Sequence, residues 1–83
     1  MTNDQFENLL RARLPYLPAD QPLRDDANLT QLGLDSMQAM ELLFDIEEEA
    51  GITVPDSAMN AETFATPSSL RAVVDQQAAE EAA

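Results

Sequence analysis

The stretch from Ser36 to Ala50 is bracketed by two signals that leave little choice of structure. Asp35, a residue type that caps helix N-termini, stands before it, and Gly51, which tolerates the left-handed turn that closes a helix, stands after it. At about 100° per residue, Ala39, Leu42, Leu43, Ile46 and Ala50 line one side, the broad apolar stripe by which a helix joins a core. Met37, Met40 and Phe44 fall at i, i+3 and i+7 on nearly the opposite side, with Glu47 on one flank and Glu41 and Glu48 on the other. Burial all round would desolvate those glutamates too, and the chain has only 4 arginines to pair with them. The second stripe is therefore read as an exposed apolar ridge with an acidic border, suited to recognising basic partners through adaptable methionines.

The rest of the chain reads as helices joined by irregular loops. Thr2 and Gln5 form a capping box for a first helix whose apolar face recurs at Phe6, Leu9, Leu10 and Leu14, and which Pro15 stops. The long connection from Pro15 to Asp35 carries Pro18, Pro22 and the acidic pair Asp25 and Asp26; a loop of this length in a small domain is often functional. The spacing of Leu29, Leu32 and Leu34 predicts that its second half packs on the core through a short turn of helix. Ile52 to Val54 has no partner strand and reads as an apolar loop that plugs the core. A short third helix is predicted over 60–65, offering Phe64 to the core. Thr66 caps a fourth helix with Pro67 at its first position, Leu70, Val73, Val74 and Ala78 as its buried stripe, and a frayed tail over 79–83. The expectation is one all-α domain over 1–83, with three longer helices and one short one, burying about 60% of its unfolded surface.

Charge and missing residue types narrow the function. Sixteen Asp and Glu stand against 4 arginines and no lysine, a net charge of -12, which repels nucleic acid and anionic membrane and attracts proteins with basic patches. No apolar run approaches the ~20 residues of a membrane span. Met1 is followed by polar residues rather than a leader sequence, so a cytoplasmic monomer is expected. With no histidine, cysteine or lysine, the usual general base and strong nucleophiles are missing, and nothing pairs two carboxylates in an apolar setting; an enzyme is not expected. The same absences leave no disulfide and no histidine or cysteine zinc site. Asp25, Asp26 and Asn28 lack the spacing of a calcium loop and its glutamate at the twelfth position. Arg11, Arg13 and Arg71 read as solvated surface.

Ser36 follows the capping aspartate, which places its side chain at a helix N-terminus, where free N–H groups and the helix dipole favour a phosphate. Gly33 permits a tight turn just before it. The arrangement Leu32-Gly33-Leu34-Asp35-Ser36, then Glu41-Leu42, Glu47-Glu48-Glu49 and, downstream, Val54-Pro55-Asp56, resembles the acyl carrier protein family, including the carrier domains of polyketide and nonribosomal peptide synthetases.

The resemblance covers nearly all of the chain. It implies a free-standing four-helix carrier domain in which Ser36, beside Asp35, receives 4'-phosphopantetheine from coenzyme A through a phosphopantetheinyl transferase. Cargo is then held as a thioester on the arm's thiol. It also matches Met37, Met40, Glu41, Phe44, Glu47 and Glu48 to positions where carriers meet basic patches of acyl-loading and acyl-transfer enzymes. A chain without cysteine needs such an added thiol to hold a thioester. Met37 stands where the family usually has leucine, which keeps the ridge apolar but makes it softer. The Leu-Gly-Leu-Asp-Ser motif leans toward polyketide-type pathways, whereas the strong acidity also suits fatty-acid carriers. The competing reading of the same residues is an unmodified acidic adaptor that binds one basic partner.

Overall fold

Thr2 closes the start of the first helix as its sequence predicts. Its hydroxyl accepts from the Gln5 amide at 3.1 Å and its own amide donates to Gln5 Oε1 at 2.9 Å, so two otherwise orphaned N–H groups are satisfied reciprocally. The computed structural model describes residues 2–82, so Met1 and Ala83, the last residue of the expected tail, lie outside the described residues. Three α-helices are present, α1 (Asn3–Ala12), α2 (Ser36–Ala50) and α3 (Pro67–Ala82), with a 3-10 turn at Asp56–Ala58 and no strand among the described residues. The fold is thus the small all-helical carrier-type bundle expected.

Helix α1 ends at Ala12, earlier than its apolar pattern, because Pro15 disfavours helical geometry at Leu14. Leu14 nevertheless turns inward and is buried beside Phe6 and Leu10. Helix α2 has the predicted limits. Asp35 accepts from the Gln38 amide at 2.8 Å, and Gly51 adopts φ 67°, ψ 35°, its amide bonding the Glu47 carbonyl. Leu42, Leu43 and Ile46 of α2 meet Phe6, Leu10, Leu29, Leu34, Leu70 and Val74 in one core, with Ile52 and Val54 plugging its end. These contacts supply most of the stability of a chain without disulfides.

The long first connection is ordered by hydrogen bonds rather than by helix. Asn28 Oδ1 accepts from the Gln31 amide, opening a single turn, and Leu34 N–H bonds back to the Leu29 carbonyl while Gly33 N–H bonds to Thr30. That paired 6→1 and 5→2 pattern is the Schellman closure, and it requires a left-handed residue, here Gly33 at φ 104°. The turn is locked on both sides: the Tyr16 amide donates to the Leu32 carbonyl and the Leu29 amide to the Ala65 carbonyl. Its effect is to bury Leu29 and Leu34 and deliver Asp35 to the start of α2.

Two expectations about the second half need correction. No α-helix forms over 60–65; the short helical element is the 3-10 turn at Asp56–Ala58, and 60–65 is a run of turns. The reason is the shortness of the segment. Asn60 Oδ1 caps the Thr63 amide, but the segment is too short to go on: the Phe64 amide reaches the Asn60 carbonyl at 3.4 Å, the Ala65 amide turns to Glu62 at 3.3 Å, and one long α-type bond does not repay helix nucleation. In α3 the buried stripe runs through Leu70, Val73 and Val74 and then to half-buried Gln77, while Ala78 faces solvent because the helix outruns the core. The helix runs to Ala82; Glu81 accepts the Thr53 amide at 3.1 Å and ties this end to the 52–54 plug. Among the described residues no helix is long and apolar enough to cross a membrane.

Candidate functional site

Ser36 is the first residue of α2 and is exposed; its hydroxyl makes no hydrogen bond to any described residue. Asp35 spends its carboxylate on the Gln38 amide, so the remaining N–H groups of the first turn stay available to an anion carried on Ser36. Replacing that cap is expected to be felt mainly in stability: Asp35→Ala should lower the unfolding free energy by about 1 kcal/mol in urea titrations.

Three other serines offer no comparable site. Ser69 is half-buried and turned inward onto the Thr63 carbonyl, and Ser57 sits in a three-residue 3-10 turn. Ser68 is exposed at the second position of α3, but in its cleft the carboxylates of Glu7, Asp25 and Asp75 outnumber the one cation, Arg71, and the balance disfavours a phosphate. Among the four serines, Ser36 combines exposure and a helix N-terminus with a cavity lined by a single carboxylate, that of Asp35.

Beside Ser36 opens a cavity of about 440 Å³. Leu34, Ala39, Met40, Met59, Ala61 and Phe64 give it apolar walls, and Thr30 and Asn60 add polar groups. An extended, amide-bearing arm on Ser36 matches this lining, because such a chain needs both apolar cover and a few hydrogen-bonding groups. Thr30, Met59, Asn60 and Ala61 were not singled out by sequence reading; they reach Ser36 only because the 29–33 turn and the 56–65 connection fold against the start of α2. Phe64, expected in the core, is half-buried and serves both the core and this wall.

The ridge stands where the helical wheel places it. Met37, Met40 and Phe44 are 72%, 48% and 58% exposed, in a protein whose other large exposed apolar residue is Tyr16 among those described. Met40 does double duty, closing the cavity on one side and extending the ridge on the other. The acidic border is less uniform than the wheel suggests. Glu48 is exposed, Glu47 is half-buried and accepts the Val54 amide at 2.8 Å, and Glu41 is ion-paired to Arg13 at 2.7 Å.

Arg13 is not the solvated surface charge expected. From the C-cap of α1 it reaches across to α2, with Nη1 also 3.1 Å from Gln38 Oε1 and Nη2 2.9 Å from Asp45 Oδ2. The hydrogen bond to Asp45, aided by the charges of Asp45 and Glu41 against partial desolvation, raises its pKa above the ordinary guanidinium value, so it remains a cation throughout. Arg71 likewise does more than face water: it pairs with Asp75 at 3.1 Å and lies 5.2 Å from the centre of the Phe6 ring. Arg11 bonds Glu7 and the Gln21 carbonyl, pinning the long loop to α1.

Among the described residues no group of histidine, cysteine or carboxylate side chains is arranged to hold a metal ion. Comparison with protein families matches residues 4–74 to the family described as phosphopantetheine attachment site. That span includes α1, the long loop, α2, the cavity wall and the first half of α3. Members of this family are carriers rather than catalysts, hold 4'-phosphopantetheine covalently on a serine, and work with phosphopantetheinyl transferases and acyl-handling enzymes. An exposed serine at a helix N-terminus, an adjoining cavity of mixed polarity and a match along most of the chain lead to one assignment: this protein belongs to the phosphopantetheine attachment family, that of the acyl carrier proteins.

Proposed function

We infer that this protein carries pathway intermediates as thioesters on a 4'-phosphopantetheine arm attached to Ser36, in polyketide, related secondary-metabolite or fatty-acid biosynthesis. The observation that carries the reading is the position of Ser36: exposed, first in α2, with its hydroxyl unengaged and a cavity at its side. In the attachment step the Ser36 oxygen bonds to the phosphorus of the pantetheine half of coenzyme A. The pyrophosphate P–O bond breaks, the adenosine bisphosphate half leaves, and the serine proton passes to a base of the transferase. No histidine is needed on this chain for that step. Once bound, the arm supplies the thiol that the cysteine-free chain lacks. The first-turn N–H groups of α2 would hold the phosphodiester at the positive end of the helix dipole, and Leu34, Met40 and Phe64 would cover the arm's apolar length.

Partner enzymes with basic patches meet the Met37, Met40 and Phe44 ridge, and exposed Glu48 supports their approach by charge. Reversing that charge in Glu48→Lys should cut the rate of acyl transfer from the loaded carrier several-fold and flatten its dependence on salt; unchanged rates and salt response would move the docking face elsewhere. The test of the function itself is the intact mass after incubation with coenzyme A, magnesium and a broad-specificity phosphopantetheinyl transferase. A gain of one phosphopantetheinyl group is expected. No gain with several transferases would instead favour the acidic adaptor, whose binding to a basic partner needs no modification.

A further inference from the structure

We propose that Arg13 is a specificity-determining residue of the docking face: it engages Glu41 and Asp45 internally, so that a basic partner on the ridge reads Glu48 first and must displace Arg13 to reach the other two carboxylates. This rests on reading the ridge as a carrier's docking face. Gln38, Glu41 and Asp45 each follow a ridge residue by one position, so they form a polar row running alongside Met37, Met40 and Phe44. Arg13 contacts all three members of that row, at 3.1, 2.7 and 2.9 Å.

The guanidinium fork is what makes this arrangement selective. Its two terminal nitrogens reach two carboxylates a helical turn apart, which a point-charge ammonium spans poorly. A cluster that would present two negative charges presents one, and a cation sits where a partner's arginine or lysine would approach. In a chain of net charge -12 this is a local reduction of the attraction, next to the ridge, and it favours partners whose cation faces Glu48 over those whose cation faces Glu41 and Asp45. Arg24 gives the natural contrast: it lies in the long loop, is 78% exposed and pairs with neighbouring Asp26.

The experiment measures kcat/KM for loading of the full chain from coenzyme A by a phosphopantetheinyl transferase across a salt series, for the parent and for Arg13→Gln, Arg13→Lys and Arg24→Gln, with circular dichroism melts confirming that each is folded at the assay temperature. Arg13→Gln is expected to raise kcat/KM roughly three- to tenfold at low salt, chiefly through KM, and to steepen the salt dependence. Arg24→Gln, which makes the same change in net charge, should shift it less than about twofold. Arg13→Lys, which keeps the charge but weakens the double bridge, should fall between the parent and Arg13→Gln. Equal effects of Arg13→Gln and Arg24→Gln, or an Arg13→Lys rate equal to the parent's, would overturn the role of Arg13 while leaving the carrier reading intact. Failure of the transferase to load the parent at all would overturn both.

Discussion

Ser36→Ala is expected to abolish attachment of the prosthetic group while leaving the fold unchanged. The chemical half of this expectation is all-or-none: without the hydroxyl oxygen there is no nucleophile for the phosphorus, and the alternative serines are turned inward, sit in a short 3-10 turn, or lie among carboxylates. The structural half follows from what the hydroxyl does in the folded chain. It is exposed and bonds no described residue, the capping role belongs to Asp35, and alanine is at least as good a helix former, so the stability change should stay within about 0.5 kcal/mol. Intact mass after transferase treatment, together with a urea titration of both proteins, reads the two halves separately. A group gained by the alanine variant would remove Ser36 as the site, and a large loss of stability would show that the hydroxyl has a packing role.

Gly33→Ala is expected to be far more damaging than the same substitution at the chain's other glycine, Gly51. Two independent costs coincide there. At φ 104° the backbone lies in a region that L side chains rarely adopt, and an added Cβ would come within 2.7 Å of Pro15 Cγ and 2.8 Å of Pro15 Cδ. The proline ring cannot swing aside as a flexible side chain would, and it is held in place because the neighbouring Tyr16 amide bonds the Leu32 carbonyl. A loss of roughly 2–4 kcal/mol follows, a large share of the stability of so small a domain. Gly51→Ala is the control: φ is 67°, nothing lies within 4 Å of the new methyl, and only the left-handed backbone cost of about 1 kcal/mol remains. Urea titrations of the two variants decide the matter, since equal losses would mean that the 29–33 turn shifts freely. Because Gly33 sets the path of Leu34 and Asp35 into α2, slower loading of Ser36 should accompany its loss.

What could be read directly from the chain are the features whose causes lie within a few residues of each other. The limits of α2 depend on Asp35 and Gly51, the start of α1 on Thr2 and Gln5, the start of α3 on Thr66 and Pro67, and the ridge on a helical repeat; each is a local signal, and each is present in the fold. The exposed position of Ser36 at a helix start belongs to the same class. The tertiary structure alone decided matters that turn on distant groups. The path of the 60–65 turns is tied to α3 and to the long first connection, where Ser69 bonds the Thr63 carbonyl and Leu29 the Ala65 carbonyl. The cavity beside Ser36 exists because the 29–33 turn and the 56–65 connection, far apart in sequence, close on the start of α2. Arg13 finds Glu41 and Asp45, 28 and 32 residues away, only once α1 and α2 pack side by side. A local hydrogen bond is encoded by its own few residues, whereas the choice among distant partners is made by the core that brings them together.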